Sequence, residues 1–198
     1  MEVEQQVRKS KKGKIALISL VIFVIIIVAI ALFSNQQHKK AEKLAAEKRY
    51  VKMMNQFVSD GLDAGEKSED MASTYQDVWH DAIFEDHYTI DGKSYRSGDD
   101  FNDAMKAQYS SFQSNGDVTE LEADQVGIEE DMKKLKNPPE KYKSMYKDIV
   151  DAYSSLDEFI QLADNPEGSL DSYTDKYNKL DGEVAKKLKA ISVQLPNK

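Results

Sequence analysis

The sequence predicts an all-α protein: a single N-terminal transmembrane helix followed by an antiparallel up-and-down bundle of four to five helices with one small hairpin-like insertion. Three observations predict it. Ile15–Phe33 is a run of 19 residues without a charge, about 28 Å as a helix, close to the ~30 Å hydrocarbon core of a bilayer. The rest of the chain repeats apolar residues at three- and four-residue spacing. Its four prolines and nine glycines mark joints between those segments. Three parts follow: a short basic head (residues 1–14), the membrane helix (15–33), and a helical-bundle domain with a stalk (34–198).

The first amphipathic helix starts near Gln36, either anew or as a continuation of the membrane span. On a heptad grid Leu44, Val51, Val58, Ala72 and Trp79 share one position, and Met54, Tyr75 and Ala82 the other. Phe57, Met71, Val78 and Ile83 widen the stripe. Its middle, Gly61–Ser68, is small and polar, so either the helix breaks near Gly61 and Gly65 or a neighbour packs unusually close. Each glycine costs a helix about 1 kcal/mol against alanine. The segment from Tyr88 to Tyr95 then changes character. Asp91-Gly92 between short β-prone flanks predicts a hairpin, with Tyr88, Ile90 and Tyr95 on one face.

Ser97 is the expected cap of the next helix, with Asp99 and Asp100 in its first turn, a stripe of Phe101, Ala104, Met105, Tyr109 and Phe112, and an end at Gly116. Asp117-Val-Thr-Glu120 has the pattern of a capping box and opens a helix whose core face is Leu121, Ile128, Met132 and Leu135. Asn137-Pro138-Pro139 stops it, and Pro139 suits the first turn of the following helix. There Tyr142, Met145, Tyr146, Ile149, Tyr153, Leu156, Ile160 and Ala163 form a stripe. Ser169 caps the last helix, with Leu170, Tyr173, Tyr177, Leu180, Val184, Leu188, Ile191 and Leu195 along one side. Short links make neighbouring helices antiparallel.

Charge and composition bound the function. The head carries Arg8, Lys9, Lys11, Lys12 and Lys14 against Glu2 and Glu4, a net +3; the whole chain is −8, so the remainder carries −11. An acidic domain repels nucleic acid, which removes DNA and RNA as partners. The basic head before the span outweighs Lys39, Lys40, Lys43 and Lys48 after it. The positive-inside rule therefore sets the N-terminus in the cytoplasm and the domain outside the cell membrane. Ala29-Ile30-Ala31 resembles a signal-peptidase site, but the apolar run continues through Leu32 and Phe33 and exceeds the usual length of a signal peptide core, which favours an uncleaved anchor from Ile15 to Phe33. With no cysteine, disulfides, lipidated cysteine and thiolate metal sites are excluded.

Catalysis finds little support, and no catalytic residue, metal ligand set or cofactor is predicted. There is no G-x-S-x-G and no Gly-rich phosphate loop. His80 and His87 flank Asp77, Asp81, Glu85 and Asp86, yet no H-x-x-x-H or E-x-x-H pair exists. A solvated helix end explains that cluster more simply than a metal does. The ten tyrosines suit either a core or an aromatic platform, and their match to the apolar stripes favours the core. Tyr88, Ile90, Lys93, Tyr95 and Arg96 form the best surface candidate, a basic-aromatic tip on an acidic domain. The expectation is a membrane-anchored, cell-surface helical protein with a protein partner, in immunity, exclusion, sensing or envelope assembly. A cell-wall or glycan binder using tyrosine faces is the alternative. A hydrolase built on His80, Asp77 and Asp81 is the weaker one.

Overall fold

A computed structural model describes the backbone of residues 2–98 and 100–196 and the side chains of residues 27, 28, 30, 32–98 and 100–196. Most of the Ile15–Phe33 run, and with it the predicted membrane helix, lies outside the described side chains. Among the described residues no helix is long and apolar enough to cross a membrane. The chain divides into two compact units, residues 1–48 and residues 49–198. The elements are α1 (Glu2–Phe84), β1 (His87–Ile90), β2 (Lys93–Arg96), α2 (Asn102–Asn115), α3 (Asp117–Leu135), a 3-10 turn at Glu140–Tyr142, α4 (Lys143–Asp164) and α5 (Leu170–Gln194).

In the second unit, contacts along α1 fix the direction of every other helix. Tyr50 donates its hydroxyl to the Leu135 carbonyl at the end of α3 (3.0 Å) and stacks on Tyr142 just before α4 (5.7 Å between ring centroids). Lys67 reaches Asp117 at the start of α3. Tyr75 meets the Phe112 ring edge near the end of α2, and Trp79 meets Tyr173 in the first turn of α5. So α2 and α3 descend against α1, α4 ascends beside it, and α5 descends again. The result is a four-legged up-and-down bundle whose second leg is broken at Gly116. That residue sits at φ 90°, a left-handed turn that glycine adopts without strain.

The predicted stripes are the core. Met54, Phe57, Tyr75, Leu121, Ile128, Leu135, Ile149, Leu156, Leu180 and Leu188 are fully buried. Each such large side chain contributes about 1.5–3 kcal/mol against exposure.

Several expectations need correction. The helix does not break at Gly61–Ser68. A Cβ at Gly61 would lie 3.2 Å from Leu188 Cδ2 and 3.3 Å from Leu156 Cδ2, so the second possibility holds: a neighbour packs unusually close. Ser97 does not cap α2. Its hydroxyl turns to the Asp81 carbonyl, while the Asp100 carboxylate accepts from the backbone N–H (2.9 Å) and side-chain amide of Asn102. Phe101 and Asp100 precede α2 instead of lying in it; Asp99 lies outside the described residues. Asp117 and Glu120 form no capping box, because Gly116 takes the N-cap position. Both carboxylates pair with Lys67, at 2.9 and 2.7 Å. Pro139 opens the 3-10 turn, not α4. Leu44 and Ile83 leave the stripe and are exposed. Ser169 does cap α5, in a reciprocal box with Ser172.

Candidate functional site

The end of the bundle where α1 stops carries the hairpin predicted at Asp91-Gly92. Asp91 and Gly92 both have positive φ, 49° and 72°, the pairing a type I′ turn requires. Tyr88 faces Tyr95 and Ile90 faces Lys93 across the two strands. An aspartate in the left-handed region is tolerated when its carboxylate finds local donors. Here the Ser111 hydroxyl and the Asn115 amide of α2 donate to Asp91. That clamp ties the turn to α2.

The five predicted residues divide by role. Ile90, 5% exposed, joins Val78, Ala82 and Ala104 in a small separate core. It is therefore out of a partner's reach, which corrects the expectation that its shared face with Tyr88 and Tyr95 made it part of the contact surface. Tyr88 is half-buried against the same cluster. Tyr95 stacks on Tyr88 (5.6 Å, 16°) and keeps 41% of its surface in solvent. Lys93 and Arg96 are exposed. The hairpin thus has a buried foot at Ile90 and exposed side chains at Lys93, Tyr95 and Arg96.

Three further residues at this end escaped sequence reasoning. Ile83, Phe84 and Phe101 are exposed at 42%, 67% and 37%. Phe101 also stacks on the buried Trp79 (5.9 Å, 27°). The signal was present for Phe84, which lies opposite the stripe that buries Tyr75, Val78, Trp79 and Ala82, whereas Ile83, four residues after Trp79, sits at that stripe's edge. Phe101 reads as a helix-stripe residue until the helix is seen to begin at Asn102. In residues 49–198 the other large exposed apolar side chains, Leu62, Val126, Val150 and Val193, are dispersed along four helices.

The alternatives find other geometry. His80 Nδ1 lies 3.2 Å from Asp81 Oδ1, and its ring packs on Phe84 (5.1 Å) beside an open cleft that also holds Asp171 and Asp175. Among the described residues no three His, Cys, Asp or Glu side chains are grouped to hold a metal ion. Asp77 acts on the Tyr177 phenol, one of several carboxylates that add to its burial in raising its pKa. Of the helix tyrosines, Tyr142 and Tyr173 are buried, and Tyr146, Tyr153 and Tyr177 pack half-buried against the core. The Tyr173 hydroxyl donates to the Ala72 carbonyl (3.4 Å). Burial, with Tyr146 adding, pushes the Tyr50 phenol up to about 12. These rings pack against the core, with the Tyr50 and Tyr173 hydroxyls given to backbone carbonyls, and do not form a flat exposed face.

No protein family, curated protein or solved structure matches the chain.

Proposed function

We propose that the protein is a single-pass membrane protein whose helical bundle stands outside the cytoplasm and binds another protein through the hairpin end. The observation that carries the binding role is that Ile83, Phe84, Tyr95 and Phe101, all substantially exposed, fall within residues 83–101, while the other large exposed apolar side chains of the bundle are scattered singly. Exposed aromatics beside cations are the composition of interface anchors. Lys93 and Arg96 would favour an acidic partner surface. The membrane role is supported by the 19-residue uncharged run and its basic head. At the described end of that run Ile27, Val28, Ile30, Leu32 and Phe33 each leave half or more of their surface uncovered, as lipid-facing residues do. Immunity, exclusion, sensing and envelope assembly all fit such an architecture.

Photo-crosslinking in intact cells tests it. A benzophenone amino acid placed at Phe84, Tyr95 or Phe101 is expected to trap one common protein. The same group at Val126 or Val193 is expected to trap none. Equal yields from both sets would remove the hairpin end as the binding surface. Protease added to protoplasts is expected to digest the bundle, and full protection would reverse the topology.

A further inference from the structure

Between α1 and α5 lies a groove of about 340 Å³. Gly61 and Gly65 of α1 and Val184 and Leu188 of α5 give it an apolar floor. Gly61, Gly65 and Glu69 recur every four residues, so the groove follows roughly 12 Å of α1. Three carboxylates, Glu66, Glu69 and Asp181, line it as well. None has an ion-pair partner among the described residues. Lys67 is engaged with Asp117 and Glu120, and Lys187 with Asp151 and Ser155, while Lys179 and Lys186 on α5 form no ion pair with any of the three carboxylates. The groove is therefore apolar below and uncompensated in negative charge above.

We propose that this groove docks a basic amphipathic helix of a partner protein, with lysine or arginine side chains laying their methylene stems on the glycine floor and their charged heads against Glu66, Glu69 and Asp181. A long cationic side chain is the group that satisfies both halves of such a surface. Residues four apart on the incoming helix would match the four-residue repeat of the floor. Burial, followed by repulsion from Asp181, Asp70 and Glu66, holds the Glu69 carboxyl above its ordinary range, and an incoming cation would relieve that repulsion. The surface is distinct from the hairpin end and does not depend on it.

The test uses the full chain in nanodiscs of zwitterionic lipid, with empty discs as blank. The probe is a fluorescent Ala-Leu-Lys helix bearing lysines four residues apart. Binding below about 1 mM is expected. It is expected to weaken at least about fivefold in Glu66→Gln/Glu69→Gln/Asp181→Asn, and again in about 0.5 M salt, where screening acts over roughly 4 Å. Gly65→Ala, which raises the floor without touching charge, is expected to weaken it too. Tyr95→Ser/Arg96→Ser is expected to leave it unchanged. Removing like charges keeps the fold, and a melt of the triple variant checks that. Wild-type affinity in the triple variant would overturn the proposal, as would equal binding of the Glu version of the peptide. Competition by spermidine at the peptide's own concentration would reduce the groove to a bare cation site. No binding at about 1 mM, or loss through the Tyr95 variant alone, would also end it.

Discussion

Gly61 and Gly65 are four residues apart in the same helix and face the same neighbour, yet their substitution should have opposite outcomes. At Gly65 a new Cβ would meet Val184 Cγ1 at 3.5 Å, ordinary contact. Gly65→Ala therefore keeps the packing and gains helix propensity, and a stabilisation of up to about 1 kcal/mol is expected. At Gly61 the Cβ would press on Leu188 and Leu156 at 3.2–3.3 Å. Both leucines are fully buried, so the few tenths of an ångström they must give come out of core packing. Gly61→Ala is expected to cost up to about 2 kcal/mol after a propensity gain of about 1 kcal/mol, since overpacking costs about 1–3 kcal/mol. Denaturant melts of the two variants decide it. Equal effects would mean that α5 does not approach α1 through Gly61.

At the scale of elements, the hairpin and α5 are held by different means. The hairpin rests on the buried foot of Ile90 and the Asp91 clamp to α2. Ile90→Asp places a charge among Val78, Ala82 and Ala104, and a loss of about 2–4 kcal/mol is expected. Tyr95→Ser removes a half-solvated ring and is expected to cost under about 1 kcal/mol while lowering crosslinked yield at the tip. Comparable losses from both would make Tyr95 a core residue. The last helix is a core stripe: Leu180 is 1% exposed. Leu180→Asp is expected to cost several kcal/mol, and His80→Ala to be nearly silent because the His80 ring is half in solvent with Asp81 as its polar neighbour. A damaging His80→Ala would reinstate a buried network at that residue.

At the scale of the whole bundle, acidity sets how stability varies with pH. Asp60 on α1 is raised chiefly by burial, then by Asp131 on α3 and by Asp63, while the Gln56 amide, a donor at 2.6 Å, pulls it down. Asp131 is buried with Oδ2 unpartnered; its Oδ1 pairs with Lys134 at 2.7 Å. Asp124 and Glu69 are raised as well, again first by burial. A carboxyl raised in the folded state holds its proton longer there than in the unfolded chain. Stability then falls as pH climbs from the ordinary carboxylate range through the raised values. The melting temperature is expected to be higher near pH 5 than near pH 8. Asp60→Asn is expected to raise it at pH 8 and flatten the profile, since the amide removes one charge and offers Asp131 Oδ2 a donor. A profile rising from pH 5 to 8 would show that the carboxylate pair does not govern the bundle.

The all-α class, the stripes, the Asp91-Gly92 hairpin and the Ser169 cap were legible in the sequence, because each is a local matter of period, turn chemistry or a hydroxyl three residues from an N–H. Tyr95, Lys93 and Arg96 were legible as a surface for the same reason. What only the tertiary structure decided depends on residues far apart in the chain. The glycines of α1 could not be read as break or contact until Leu156 and Leu188 were beside them. Asp117 and Glu120 resemble a cap until Lys67, fifty residues earlier, claims both. Ile90 and Phe101 have similar hydrophobicity, and whether each is foot or surface is set by which helix lies against it. Local sequence determines what a segment can form; burial and charge pairing across the bundle determine which of its side chains remain free to act.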